Sequence, residues 1–261
     1  MILETAGLVR HFGGIKALDG VDIGVRCGEL VGVIGPNGSG KTTLFNVITG
    51  IYRPDGGSVR MEGASIGGLP PHRITRLGIA RTFQNIRLFR ELSVADNVRI
   101  AHHQHVRYGP ADAVCRTGSF HREERRMREE VEGFLSLFSL QDRRGELAKN
   151  LSYGDQRKLE IARALACCPK VLLLDEPAAG MNPSEVAKLM EFILQIRERF
   201  RLTVLLIEHQ MRLVMGICER LVVLDFGRVI AEGVPSAIRK HPRVVEAYLG
   251  RNVPSGNRIH G

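Results

Sequence analysis

A chain of 261 residues, 44% hydrophobic and 25% charged, can bury a sizeable core, which excludes a wholly disordered or fibrous protein. It has no run of 18 apolar residues, and its start, MILETAGLVRHF, lacks a basic segment followed by an apolar stretch. Neither a membrane-spanning helix nor a secretory leader is therefore expected, and the chain is expected to stay in the cytoplasm. The net charge of +9 suits an anionic partner, whether nucleic acid, a membrane surface or a nucleotide polyphosphate, and composition does not choose among them.

In chain order, residues 1–34 read as β-rich, because GLVRHF, ALDGVDIGV and ELVGVIG are short β-branched runs divided by Gly and Asp turns. A helix is expected at 41–49, then a strand in GSVRMEG, a basic amphipathic helix near 72–77 and a strand in GIARTF. From 85 to 150 the periodicity turns helical, with a loose Gly/Pro section near 108–118 and no convincing strand. After 151 the alternation returns as helix 155–166, strand VLLLD, helix 183–199, strand TVLLIE, helix 210–218 and strand RLVVLD. Strands bracketing helices of this length imply right-handed parallel crossovers, so the fold class is α/β, with 85–150 a helical lobe inserted into the core. The tail RNVPSGNRIHG is polar and expected to fray.

The strongest local pattern is GPNGSGKTT, formed by Gly35, Pro36, Asn37, Gly38, Ser39, Gly40, Lys41, Thr42 and Thr43. It fits G-x-x-x-x-G-K-[ST] and lies between an apolar strand and an apolar helix, the context that a phosphate-binding loop requires. Glycines let backbone N–H groups curl around phosphate oxygens, and the helix N-terminus adds partial positive charge. Lys41 is expected to reach the β- and γ-phosphates, and the Thr42 hydroxyl to ligate Mg²⁺. An arginine at 41 would fit less well, because a compact ammonium can sit among phosphate oxygens where a planar fork cannot. VLLLDEP supplies a buried strand ending in two carboxylates. Asp175 is expected to hold the metal's water shell and Glu176 to act as the base for the water that attacks the γ-phosphate.

With LSYGDQ at 151–156, RTFQ carrying Gln84, AAGMN at 178–182 and His209 in LLIEHQM, the chain resembles the ATP-binding cassette ATPases over residues 1 to about 250. The resemblance implies a P-loop NTPase core with an N-terminal antiparallel β subdomain (1–84 and 151–250), an inserted α-helical subdomain (85–150) and a flexible tail (251–261). It makes LSYGDQ the signature motif, whose Ser152 and Gly154 cover the ATP of a partner subunit. Gln84 becomes the Q-loop glutamine, acting in catalysis and on Mg²⁺, and His209 the switch histidine. Phe12 looks like the aromatic that stacks on adenine.

ARTFQNIRLFRELSVADNV, LSYGDQRKLEIARAL, DEPAAGMNPSE and HPRVVEAYLG carry the resemblance further, to the ATPase subunits of bacterial branched-chain amino-acid uptake systems. Tyr153, where most cassette importers show a second Gly, and Asn182, where most show an Asp, suit that subgroup. The implied partners are a second cassette ATPase, identical or paralogous, two membrane permeases and, indirectly, a periplasmic solute-binding protein, which would hold the chain to the inner face of the plasma membrane. Nucleic acid is not expected. A cassette ATPase acting on nucleic acid, or an importer of urea or short amides, is the alternative.

Asp155 stands where Gln is commonest in the signature, which brings an acid close to the expected triphosphate. It also completes a capping box, with Ser152 as N-cap and Asp155 at N3, so Ser152 has a helix-capping role open to it as well. Three further features have bland readings. The run HREERRMREEVE (121–132), with four arginines and five glutamates, reads as a solvated helix face. His102, His103 and His105 lack cysteine or carboxylate partners at ligand spacing and read the same way. Cys27, Cys115, Cys167, Cys168 and Cys218, odd in number, form no C-x-x-C and are expected to be reduced and mostly buried.

Overall fold

The structure is a computed structural model that describes residues 1–249; the expected tail at 251–261 lies outside the described residues. The chain forms two compact units, one from Met1–Pro71 with the chain from Ala178 onward, the other His72–Pro177. The stretch 85–150, expected as an inserted helical lobe, lies inside the second unit.

In the first unit, β1 (Leu3–Phe12) and β2 (Ile15–Val25) form an antiparallel hairpin, with Leu3 opposite Val25 and Phe12 opposite Ile15. β1 buries Leu3 and Thr5 but then Leu8, a change of face made by a register shift between Thr5 and Leu8. Gly7 sits in that shift at φ 56, and its N–H donates to Asp22 Oδ1 at 2.6 Å. β3 (Leu30–Ile34) and α1 (Lys41–Ile48) follow. β4 (Gly56–Met61) then pairs antiparallel with β1, and the short β5 (Ala64–Ser65) pairs with β4, giving the order β2-β1-β4-β5.

The second unit begins with α2 (Pro71–Arg76) and β6 (Ile79–Arg81). Four helices follow: α3 (Val94–His102), α4 (Pro110–Cys115), α5 (Gly118–Leu137) and α6 (Tyr153–Leu165). β7 (Val171–Asp175) then pairs parallel with β6, Ile79 opposite Val171. The helix starts follow capping chemistry: Ser93, Thr117 and Ser152 each accept a backbone N–H at the N-terminus of α3, α5 and α6.

α5 is not a wholly solvated face. Glu124, Met127, Val131 and Leu135, spaced by three and four, turn inward, and buried Glu124 accepts hydrogen bonds from Arg99 and from Tyr108 Oη (2.8 Å). The histidine expectation needs the same correction. His103 and His105 are exposed, whereas His102 is buried and bonds Glu130 through Nε2, because it occupies the inner face of α3.

The chain returns to the first unit with α7 (Pro183–Phe200), β8 (Thr203–Ile207), α8 (Met211–Ile217), β9 (Arg220–Asp225), β10 (Arg228–Gly233), α9 (Pro235–Ile238) and α10 (Pro242–Leu249). β3 lies between β8 and β9, parallel to both, and β10 adds antiparallel to β9. Every residue of β3 and β8 is buried, which is why both read as unbroken apolar runs. Asn182, the departure from the usual D-loop acid, has a local structural use. Its Oδ1 accepts the N–H groups of Ser184 and Glu185 at 3.0 Å each, and Glu185 Oε2 accepts the Asn182 N–H at 2.8 Å, so Asn182 caps α7.

The cysteines correct another expectation. Cys218 is buried, Cys167 is half-buried, and Cys27, Cys115 and Cys168 are exposed, because these three lie in a turn or at helix ends. Burial pushes the Cys218 thiol up to about 12 and the Cys167 thiol up to about 11, which suppresses the reactive thiolate at both.

Candidate functional site

The phosphate loop runs from the end of β3 to the start of α1. Its glycines are required by packing as well as by conformation. Gly35 and Gly40 have φ of 150° and 107°. A Cβ on Gly35 would lie 2.0 Å from the Leu224 carbonyl oxygen, and one on Gly40 would lie 2.4 Å from that of Ala17. The turn between β9 and β10 braces the loop from outside, the Gly227 N–H donating to the Ser39 carbonyl at 3.0 Å.

Lys41 is 7% exposed, and its ammonium is turned onto the loop it follows. It donates to the Gly35 carbonyl at 2.8 Å, the Pro36 carbonyl at 2.9 Å and Ser39 Oγ at 3.4 Å. A buried ammonium beside a glycine-rich turn and a helix N-terminus is the chemistry of a polyphosphate cradle. Asn37, Gly38 and Thr42 face solvent, and Thr43 is half-buried. Tyr248 of α10 reaches the same corner: burial raises its phenol above the ordinary tyrosine value, and the Gly35 peptide opposes that rise.

Phe12, at the end of β1, is 39% exposed and is not a core aromatic. Its ring stands edge-on to Tyr52, centroids 5.2 Å apart, and Arg10 lies 4.9 Å from its centroid.

His209 follows β8 and is exposed. The residue before it, Glu208, is fully buried, and sequence reasoning missed it. Its carboxylate accepts the N–H of Ala178 at 2.8 Å, of His209 at 3.1 Å and of Gln210 at 3.2 Å. One side chain thus ties the segment after VLLLDEP to the histidine turn. A carboxylate closing an apolar strand was the available signal. Glu208→Ala is expected to strand three backbone donors and cost about 3 kcal/mol, read as a lower urea midpoint, while Glu208→Gln keeps part of that stability.

In the second unit, β7 ends in Asp175 and passes into Glu176, which adopts φ 46. Gln84 Nε2 donates to Glu176 Oε2 at 2.7 Å. Asp175 Oδ2 receives Arg81 at 2.7 Å, and both side chains are buried, at 4% and 3% exposure for Arg81 and Asp175. Burial pulls the Arg81 guanidinium below its ordinary pKa and Asp175 opposes the change. The signature helix α6 holds the Gln84 segment through Arg157 and Glu160, each 1% exposed and 2.8 Å apart. Arg157 donates to the Phe83 carbonyl at 2.7 Å and the Gln84 carbonyl at 3.0 Å, and Glu160 accepts the Phe83 N–H at 3.1 Å.

Ser152 Oγ accepts the Asp155 N–H at 3.2 Å and donates to Asp155 Oδ2 at 2.9 Å, so the expected capping role is filled. A Cβ on Gly154 would meet nothing within 4 Å among the described residues.

Phe12, the loop from Gly35 to Thr43 and His209 belong to the first unit, and Gln84, Ser152, Gly154, Asp175 and Glu176 to the second. Of the second set, Gln84 meets Glu176 directly. Arg81, Arg157 and Glu160 were invisible to motif reading because their partners Asp175, Phe83 and Gln84 are distant in sequence.

Among known proteins, a family profile described as ABC transporter matches residues 18–179, and one described as branched-chain amino acid ATP-binding cassette transporter matches residues 228–253. The high-affinity branched-chain amino acid transport ATP-binding protein BraF of Pseudomonas aeruginosa is 45% identical over 249 residues, covering 95% of this chain and 98% of that protein. The crystal structure of the ADP conformation of MJ1267, an ATP-binding cassette of an ABC transporter, superposes with a TM-score of 0.82 at 35% identity, covering 95% of this chain and 98% of that one. The dimeric post-hydrolysis structure of the cassette MJ0796, bound to ADP and Pi, gives a TM-score of 0.75 at 25% identity, covering 89% and 98%.

Proposed function

The chain belongs to the ATP-binding cassette family of ABC transporters, and from that premise we propose that it is the ATP-hydrolysing subunit of an importer of branched-chain or related amino acids. The observation that carries the amino-acid reading is the 45% identity to BraF across 95% of this chain and 98% of that one. The match of residues 228–253 to the branched-chain profile supports it independently of the nucleotide motifs.

In this reading two cassette subunits pair beneath two membrane permeases, on the inner face of the membrane. No helix among the described residues is long and apolar enough to cross a bilayer, so attachment would run through the permeases. The dimeric MJ0796 structure supports pairing. The open face of Gly154 also suits it, since this subunit's own packing does not demand a glycine there.

The roles follow from the chemistry of each side chain. Lys41 leaves the loop carbonyls for the β- and γ-phosphates, exchanging neutral acceptors for charged ones. Phe12 offers the adenine an exposed ring. Glu176 takes the proton of the attacking water, and the Gln84 amide, 2.7 Å away, orients it. His209 stands on a turn made rigid by Glu208 and contacts the γ-phosphate. Ser152 and Gly154 cover the ATP held by the partner.

Thr42, Gln84 and Asp175 offer hydroxyl, amide and carboxylate oxygens, the hard donors that suit Mg²⁺. When bound, Mg²⁺ supplies charge neutralisation of the phosphates. Asp175 reaches it, in this reading, only in competition with Arg81.

The test is reconstitution with the two permeases in lipid vesicles. Solute-dependent stimulation of ATPase activity, and loss of branched-chain amino-acid uptake in a deletion strain, are the expected results. Uptake loss confined to urea or short amides would reassign the solute, and salt-sensitive stimulation by DNA or RNA in place of the permeases would overturn the transport role.

A further inference from the structure

Asp155, the unusual acid of the signature turn, is a half-buried carboxylate beside the residues assigned to ATP. Both of its oxygens are engaged. Oδ1 holds Lys158 Nζ at 3.0 Å, and Oδ2 holds both Arg143 at 3.2 Å and the Ser152 hydroxyl at 2.9 Å. Burial works against its ionisation, but the hydrogen bonds from Lys158 and Ser152 and the charges of Lys158 and Arg143 outweigh it and hold the carboxyl below the ordinary aspartate range. It is therefore an anion at neutral pH.

A serine has one proton to give. In this chain Ser152 gives it to Asp155, so the hydroxyl presents no free donor to an incoming phosphate. The same carboxylate pairs with two cations, and Arg143 and Lys158 less Asp155 leave a net charge of +1 in this group where a neutral side chain at 155 would leave +2. We propose that Asp155 restrains ATP-driven pairing of the cassettes, by competing with the partner's ATP for the Ser152 hydroxyl and for Arg143 and Lys158.

The inference rests on the reading of Ser152 as a contact to the partner's ATP. The restraint is weak by construction: Arg143 and Lys158 are 45% and 48% exposed, so their pairs with Asp155 are cheap to release. A phosphate, more highly charged than a carboxylate, can take all three donors in turn.

The experiment uses the full chain carrying Glu176→Gln to prevent turnover. Its ATP-driven association is followed by sedimentation. Adding Asp155→Gln, which keeps a capping residue at N3, is expected to lower the ATP concentration at half-association by about three- to tenfold. The gain should shrink between about 50 mM and about 500 mM salt, as an exposed charge effect must. Arg143→Gln, which leaves Asp155 less compensated, should shift association the opposite way.

An unchanged or weaker association in Asp155→Gln, with an unaltered thermal midpoint, overturns the restraint and leaves Asp155 a helix cap. Should Asp155→Gln not fold, a failure of Arg143→Gln to weaken association has the same force. Ser152→Ala separates the two levels: the parent reading expects it to abolish association. If Ser152→Ala associates like its parent, or if no combination associates with ATP, the assignment of the signature turn to phosphate fails first.

Discussion

Replacing Arg81 by methionine is expected to lower folding stability by about 3–5 kcal/mol. The guanidinium and the Asp175 carboxylate meet at 2.7 Å with side-chain exposures of 4% and 3%. Methionine fills much of the same volume but leaves an ionised carboxylate buried without its cation, and water is too far excluded to replace it. The measurement is the urea midpoint of unfolding. Asp175→Asn added to Arg81→Met is expected to recover part of the loss, because an amide is far cheaper to bury than a charge. A coupling energy of about 2 kcal/mol or more in that double-mutant cycle would attribute the loss to the pair. Equal losses in the single and double variants would instead mean that Arg81 acts through packing, for instance against Phe83, whose ring centroid lies 4.9 Å from its guanidinium.

Glu176→Gln is expected to reduce ATP turnover by about 10² to 10⁴, equivalent to about 3–5 kcal/mol of barrier, while nucleotide binding persists. Glutamine has the shape of glutamate and no proton affinity to offer the attacking water. It can still present an oxygen to Gln84 Nε2, now 2.7 Å from the carboxylate, so the local contact survives the change. The backbone should also be indifferent, since residue 176 sits at φ 46 and both side chains carry the same Cβ into that conformation. The thermal midpoint should therefore hardly move. Single-turnover hydrolysis reads the chemical step, and a fluorescent-nucleotide titration reads binding. Turnover within a few fold of the parent would remove Glu176 from the role of base.

The elements that position the phosphate loop were legible because each is encoded locally. LVGVI is an unbroken apolar run, GPNGSG cannot continue a strand or begin a helix before Lys41, and Ser152 with Asp155 three residues on marks the start of α6. Asn182 and Pro183 do the same for α7. The segment 228–249 was not legible as β10, α9 and α10. Its strand lies at a sheet edge and is nowhere fully buried, so the alternation is faint, and α9 spans only four residues.

The site divides along the same line. Motif spacing picked out Lys41, Gln84, Ser152, Asp175, Glu176 and His209, whose chemistry is carried by residue type at a fixed distance from a strand end or helix start. It could not show that Arg81 and Asp175, 94 positions apart, share an ion pair, or that Arg157 of α6 holds the carbonyls of Phe83 and Gln84. Nor could it tell buried His102 from exposed His103 and His105 in one short run, or show that three of five cysteines face solvent.

By itself, then, the amino-acid order determined the phosphate loop, the acidic strand end, the capped signature helix and the family these belong to, because hydrophobic period, glycine conformation and capping act over a few residues. Only the tertiary structure decided which charges are neutralised by residues of another element: Arg81 on Asp175 and Arg143 on Asp155. Those pairings depend on strand register and helix packing, and the energy of a charge depends on what surrounds it in space.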